Sequence, residues 1–165
     1  MLKPLPGYAE RLPTVGKRIK TITRLGPDGA PNGALAADKR LAPRETVAGV
    51  EAGRETVAYP FSTLRAARVV NDRVGGLAIV IVHQPSSDTT TAFEAHTGGR
   101  TLTFKPANDD ASAVTDRETG STWNAYGLAL DGPLKGTQLK PVILVSQFWF
   151  AWSQFRPGTR VFTAR

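Results

Sequence analysis

The chain has no cysteine, a single methionine and only two histidines in 165 residues. The first absence removes disulfides, thiolate metal sites, iron–sulfur clusters and cysteine nucleophiles, but leaves the redox compartment open. No stretch approaches the roughly 20 apolar residues of a membrane-spanning helix. Residues 1–20 lack an apolar run set between a basic start and a small-residue cleavage site, so the chain as written reads as soluble and without a signal peptide. With two histidines, a two-His metal centre must use His83 and His96. If Leu77–His83 and Thr89–His96 form an antiparallel hairpin, His83 lies beside the loop and His96 at the far end, so the length of one strand holds them roughly 20 Å apart, too far to share an ion. A one-His site with Asp88 or Glu94 stays open, against a surface or hydrogen-bonded histidine.

What is abundant is turn chemistry: 16 Gly and 12 Pro, with 41% hydrophobic and 21% charged residues. That balance suits one cored domain of short elements and is too apolar for a chain disordered throughout. The net charge of +7 is uneven, because residues 1–50 hold nine Lys and Arg against four Asp and Glu, and the remainder twelve against ten. Residues 1–44 form a basic, Pro/Gly-rich arm. Arg11, Lys17, Arg18, Lys20 and Arg24 could meet phosphate, but no aromatic residue interleaves with them for base stacking. Within the arm, Arg18–Leu25 is a short β-like run, and Pro27–Gly33 reads as a loop.

From residue 45 to 165 the pattern is that of a β domain. Thr46–Val50 and Glu55–Tyr59 flank a hairpin connection at Glu51–Arg54, in which Gly53 takes a positive φ. Phe61–Ala67 reads as a short helix with Ser62 as its cap. After a strand at Arg68–Asn71 comes a turn at Asp72–Gly76. Leu77–Val82 follows, Ile/Val-rich and without polar alternation, as a central strand. Thr89–His96, Arg100–Lys105, Ala113–Asp116 and Ser121–Asn124 continue the series. Ser146–Phe155 reads as a second helix, Ser146-capped, with Phe148, Trp149, Trp152 and Phe155 as a stripe that plugs a barrel end or covers a sheet. Arg160–Thr163 is a last strand. The fold expected is mainly β, a single small barrel or sandwich with two short helices.

Chemistry-bearing patterns are sparse. There is no Gly-x-Ser-x-Gly elbow, and Gly75-Gly76 and Gly98-Gly99 lack what a phosphate cradle needs. Asp109-Asp110 and Asp116-x-Glu118 could supply paired carboxylates for hydrolysis or for calcium, with solvated loop acids as the plainer reading. In Asp116–Trp123, Asp accepts backbone N–H bonds, Gly120 supplies an unusual φ and Trp123 anchors the returning strand, which is folding chemistry first.

Several segments in order resemble a known family. They are Thr46-Val47-Ala48-Gly49-Val50 with Glu55-Thr56-Val57-Ala58-Tyr59-Pro60, Val69-Val70-Asn71-Asp72-Arg73-Val74-Gly75-Gly76, the Asp116–Trp123 turn, Gly132-Pro133-Leu134-Lys135-Gly136 and the Trp149/Trp152 segment. Together they resemble the bacterial and archaeal family catalogued as domain of unknown function 3179, from about Leu41 onward. The resemblance implies no activity, substrate or catalytic residue. It suggests an exported or envelope setting, since many members look exported or lipid-anchored. Two departures stand out: relatives often carry Tyr-Cys-Pro-x-Cys where this chain has His83-Gln84-Pro85-Ser86-Ser87, and His-Glu where it has Ala67-Arg68.

The sequence therefore reads as a binding or accessory domain with an unidentified ligand or protein partner, no cofactor and no metal. Asn71, Asp72 and Trp123 are the candidate ligand-binding residues. The alternatives are a small hydrolase or lyase using Asp72, Asp116 and Glu118, and nucleic-acid binding through the arm.

Overall fold

The computed structural model describes residues 38–164. The β-like run at Arg18–Leu25, the Pro27–Gly33 loop and most of the basic arm lie outside them. In chain order the elements are β1 (Thr46–Ala52), β2 (Glu55–Pro60), α1 (Phe61–Ala67), β3 (Val69–Val74), β4 (Leu77–Gln84), β5 (Thr89–Glu94), β6 (His96–Thr97) and β7 (Arg100–Thr101). Then come β8 (Phe104–Pro106), β9 (Ala113–Asp116), β10 (Thr122–Asn124), β11 (Ala129–Asp131), β12 (Val145–Phe148), α2 (Trp149–Phe155) and β13 (Arg160–Val161). The strands form sheets ordered β12-β1-β2-β13, β3-β4-β5, β11-β10-β9-β8 and β6-β7, and none closes into a barrel. The fold is mainly β with two short helices among the described residues, and its sheets stack in sandwich fashion.

Side-chain alternation explains the stacking. Along β4, Ile79 and Ile81 face one core, shared with Ala48 and Val50 of β1 and Val57 and Tyr59 of β2. Val80 and Val82 face another, shared with Phe104, Val114 and Trp123 of the third sheet. β4 therefore has an apolar row on each face, as a central strand between two layers requires. On the far side of the first sheet, Val47 and Ala58 pack against Trp149 and Trp152 of α2. The order of layers is α2, the β12-β1-β2-β13 sheet, the β3-β4-β5 sheet and the β8–β11 sheet.

Several local expectations shift, each for an identifiable reason. The first hairpin closes on Gly53 and Arg54 alone, because Ala52 already pairs with Glu55. β3 runs through Asp72 to Val74, so Asn71 and Asp72 lie on a strand and the turn is Gly75-Gly76. Both glycines have positive φ, 56° and 84°, as the right-handed twist of a two-residue hairpin demands. Ser62 does not cap α1; instead Glu45 accepts from the Ser62 backbone N–H at 3.3 Å and from its hydroxyl at 2.8 Å. α2 begins only at Trp149, because Val145–Phe148 is drawn into β12 by pairing with β1, Ser146 opposite Ala48. Within the expected stripe, Trp149 and Trp152 are buried while Phe148 and Phe155 stay exposed.

Gly49 sets how closely α2 approaches the sheet, since a Cβ at this position would overlap the Trp152 ring. Gly158, by contrast, has open space around its missing Cβ and no unusual φ. Gly49→Ala is therefore expected to lose about 1–3 kcal/mol of stability through overpacking, while Gly158→Ala stays close to wild type; denaturant midpoints of the two variants check this.

Candidate functional site

The layer between the first two sheets is closed on one side and open on the other. On the closed side, Tyr59 of β2 donates its hydroxyl to Asp72 Oδ2 at 2.7 Å, and Arg160 of β13 donates Nη2 to the same oxygen at 2.9 Å. Arg160 also gives Nε to Glu55 at 3.1 Å, while Glu55 accepts the Gly75 N–H at 2.7 Å. Burial and the bond to Asp72 push the Tyr59 hydroxyl well above its usual pKa. The Gly75 N–H, aided by Arg160, holds Glu55 below the usual carboxylate range. Burial works against the Arg160 charge, but its bonds to Asp72 and Glu55 outweigh that and raise its pKa. This network latches the edges of the two sheets together.

The open side is a cleft of about 400 Å³. Its walls are Thr46 and Ala48 of β1, Ser146 of β12 with Leu144 before it, Phe61 and Arg65 of α1, Thr90 of β5, and Asp88 in the β4–β5 turn. Arg65 and Asp88 are more than half exposed and pair with each other, Arg65 Nε and Nη2 reaching the carboxylate at 3.1–3.2 Å. Asp88 adopts a φ of 50°, left-handed backbone that Asp tolerates better than most residues.

Behind these walls lies His83. It follows Ile79 and Ile81 on the same face of β4, so it ends an apolar row and is fully buried. Its Nδ1 is 2.9 Å from the Thr90 hydroxyl, its ring meets Phe61 edge-on at 6.0 Å, and its Nε2 lies 3.6 Å from Asp88 Oδ1. Buried Nε2 has no hydrogen-bond partner, a rare condition that calls for explanation in a native interior. Burial pushes the pKa of His83 below its ordinary value; Asp88 opposes this and Arg65 reinforces it. The sequence leaves open a one-His metal site with Asp88 or Glu94, against a surface or hydrogen-bonded histidine; the structure puts Asp88 beside His83, with no third ligand grouped there among the described residues. The walls from α1, β1 and β12 come from non-local packing with no signal in the local pattern, whereas the burial of His83 continues the Ile79–Ile81 row. Glu94 is elsewhere, at the far end of β5 and paired with Lys140, and His96 lies beyond it in β6.

The other sequence candidates occupy different layers. Asn71 spans to β8, its amide donating to the Phe104 carbonyl and accepting the Phe104 N–H, both at 2.8 Å. Asp116 is buried and accepts from the Trp123 indole at 2.8 Å, the Thr119 N–H at 2.6 Å and the Thr119 hydroxyl. Burial alone would raise its pKa, but these bonds outweigh it and hold the carboxyl below 3.8. Glu118 accepts the Thr103 N–H at 2.7 Å. With Gly120 at a φ of 72°, the Asp116–Trp123 turn is built as its sequence suggests. Asp109 is exposed and Asp110 holds Ser86. Among the described residues, no three His, Asp or Glu side chains are grouped to hold a metal ion, and no helix is long and apolar enough to cross a membrane.

A second hollow, of about 460 Å³, is lined by Arg40, Pro60, Arg160 and Phe162 among others. Its cations are engaged, Arg40 with Asp38 and Arg160 with Asp72 and Glu55, as Arg65 is with Asp88; the open cleft is the better candidate because the unpartnered His83 Nε2 lies against its wall.

A family model described as protein of unknown function (DUF3179) matches residues 28–159. No curated protein and no solved structure matches the chain.

Because the Asp116 carboxyl has a depressed pKa in the fold, its stabilisation is complete above the unfolded-state value near 3.8 and is lost as pH falls through the lower folded-state value. Asp116→Asn is expected to lose about 1.5–3 kcal/mol at neutral pH, the range for hydrogen bonds to a charged group, and to show a shallower loss of stability below about pH 4 than wild type. Denaturant unfolding across pH measures both.

Proposed function

The chain belongs to the DUF3179 family, whose description assigns no function, and from that premise we propose that its β domain is a binding or accessory module without catalysis of its own, with the open cleft as its ligand site. The observation that carries this is the buried His83 Nε2, without a partner, behind Asp88, Thr90 and Phe61 in the wall of a cleft of about 400 Å³. That volume falls in the range of small-molecule sites, and the lining mixes apolar walls with a few placed polar groups, as such sites do.

The carboxylates argue against the hydrolase alternative. A general acid needs a raised pKa, whereas Asp116 is held low and is saturated with donors inside a turn. Glu118 holds a backbone N–H, and Asp72 is bound by Tyr59 and Arg160. In this reading Asn71, Asp72 and Trp123 support the layers around the cleft instead of touching its ligand.

A small-molecule fragment library screened by amide chemical shifts tests the proposal. The expected shifts cluster on residues 46–48, 61–65, 88–90 and 144–146 and disappear in Ser146→Trp, which places an indole over the cleft from an exposed position of its wall. Shifts scattered over the molecule, or a turnover activity abolished by a folded Asp116→Asn, Glu118→Gln variant, would sink it.

A further inference from the structure

We propose that the cleft takes small organic anions carrying an apolar body, and that Asp88 occupies the anion's place until His83 takes up a proton. This rests on the cleft being the binding site.

Arg65 presents two nitrogens to both oxygens of Asp88, the fork by which a guanidinium recognises a carboxylate. At 3.1–3.2 Å the contacts are longer than the roughly 2.7–2.9 Å of a strong charge-assisted pair. The pair is also solvent-exposed, so exchanging its carboxylate for another costs little. The Phe61 ring lies under the Arg65 guanidinium at 5.8 Å, and Ala48 and Leu144 extend the apolar wall. An anion seated on Arg65 thus has apolar surface beside it for its body.

Displaced from Arg65, Asp88 has a second partner within reach. Its Oδ1 is already 3.6 Å from His83 Nε2. A neutral imidazole offers that carboxylate little, but an imidazolium buried between the sheets requires a counter-ion, and Asp88 is the one at hand. The charged groups that act on His83 are Asp88 from the β4–β5 turn and Arg65 from α1, while Arg68, whose carbonyl accepts the His83 N–H just before β3, carries its guanidinium toward Asp109. The residues that β1, β12 and β5 contribute to the cleft, Thr46, Ala48, Ser146 and Thr90, do not titrate near neutrality. One anion and one proton enter together: the anion replaces Asp88 on Arg65, and Asp88 turns to the protonated ring. By linkage, affinity for the anion rises as pH falls, and anion binding raises the proton affinity of His83 equally.

The test uses 1-hexanesulfonate, whose charge does not titrate, and uncharged 1-hexanol, each added to the full chain at about pH 5 and about pH 7.5, either side of the ordinary histidine pKa. Calorimetry measures affinity and proton uptake, and amide shifts locate the site. The sulfonate is expected to bind about tenfold more tightly at the lower pH with uptake of close to one proton, and the alcohol to show no pH dependence. In Asp88→Asn, which keeps a residue suited to left-handed backbone, the sulfonate should bind at both pH values with the dependence lost. Arg65→Gln should remove the preference for sulfonate over alcohol. Equal binding of the two probes, or an unchanged pH dependence in Asp88→Asn, overturns the anion proposal and leaves the cleft as a binding site. Failure of the sulfonate to bind where library fragments do overturns it in the same way. If fragments also leave the cleft empty, the binding reading falls with it.

Discussion

The burial of β4 on both faces is the constraint on which the rest of the molecule depends. A strand placed between two cores must have apolar side chains in both of its alternating rows, and Leu77–Val82 meets that demand without a polar residue. One row seats the first sheet and the other seats the third, so the stack of layers is aligned on a single strand. The same geometry explains His83. It is the next position in the Ile79–Ile81 row, still inside the layer, and its polarity is tolerated because Thr90, directly opposite on β5, reaches Nδ1.

The layer around that row is chemically asymmetric. At one edge, Arg160, Asp72, Tyr59 and Glu55 knit β13, β3 and β2 together with bonds of 2.7–3.1 Å. At the other, the sheets are spanned by chain, with the Lys140–Glu94 ion pair on the crossing segment. Lys140 and Val142 bond to β5, with Glu94 donating to the Lys140 carbonyl and Val142 donating to the Ala92 carbonyl, and the same segment then continues into β12 of the other sheet. The cleft lies beside this crossing, so its two walls are joined along one margin and separated by α1 and the β4–β5 turn along the other.

What was legible in the sequence was what nearest neighbours decide. The Phe61–Ala67 helix, the apolar central strand, the Gly75-Gly76 reversal and the Asp116–Trp123 turn all depend on residues within a few positions of one another. Where a distant segment competes, local reading fails. Ser62 has the chemistry of a cap, but Glu45 is nearby in space and satisfies the helix start instead. Ser146 likewise has cap chemistry, yet the open edge of β1 claims it for a strand. Asp72 resembles a turn residue until Arg160 and Tyr59 are placed beside it. The candidate site was not legible: the sequence offers Asp88 or Glu94 only as partners in a one-His metal site, and the cleft's walls come from elements that are far apart in the chain.

The first sheet draws its strands from distant parts of the chain: β1 and β2 are neighbours, but Thr46 pairs with Phe148, and Val57 lies beside Arg160. Arg160 meets Asp72 across 88 positions. Loop closure over such spans precedes any reward from the contacts, which slows folding in proteins rich in non-local pairing. During synthesis, the β1–β2 hairpin and the β3-β4-β5 meander are complete long before their flanking strands exist. The growing chain must therefore hold an apolar layer with unpaired edges until its later residues arrive, and that interval is when it is most exposed to misassociation.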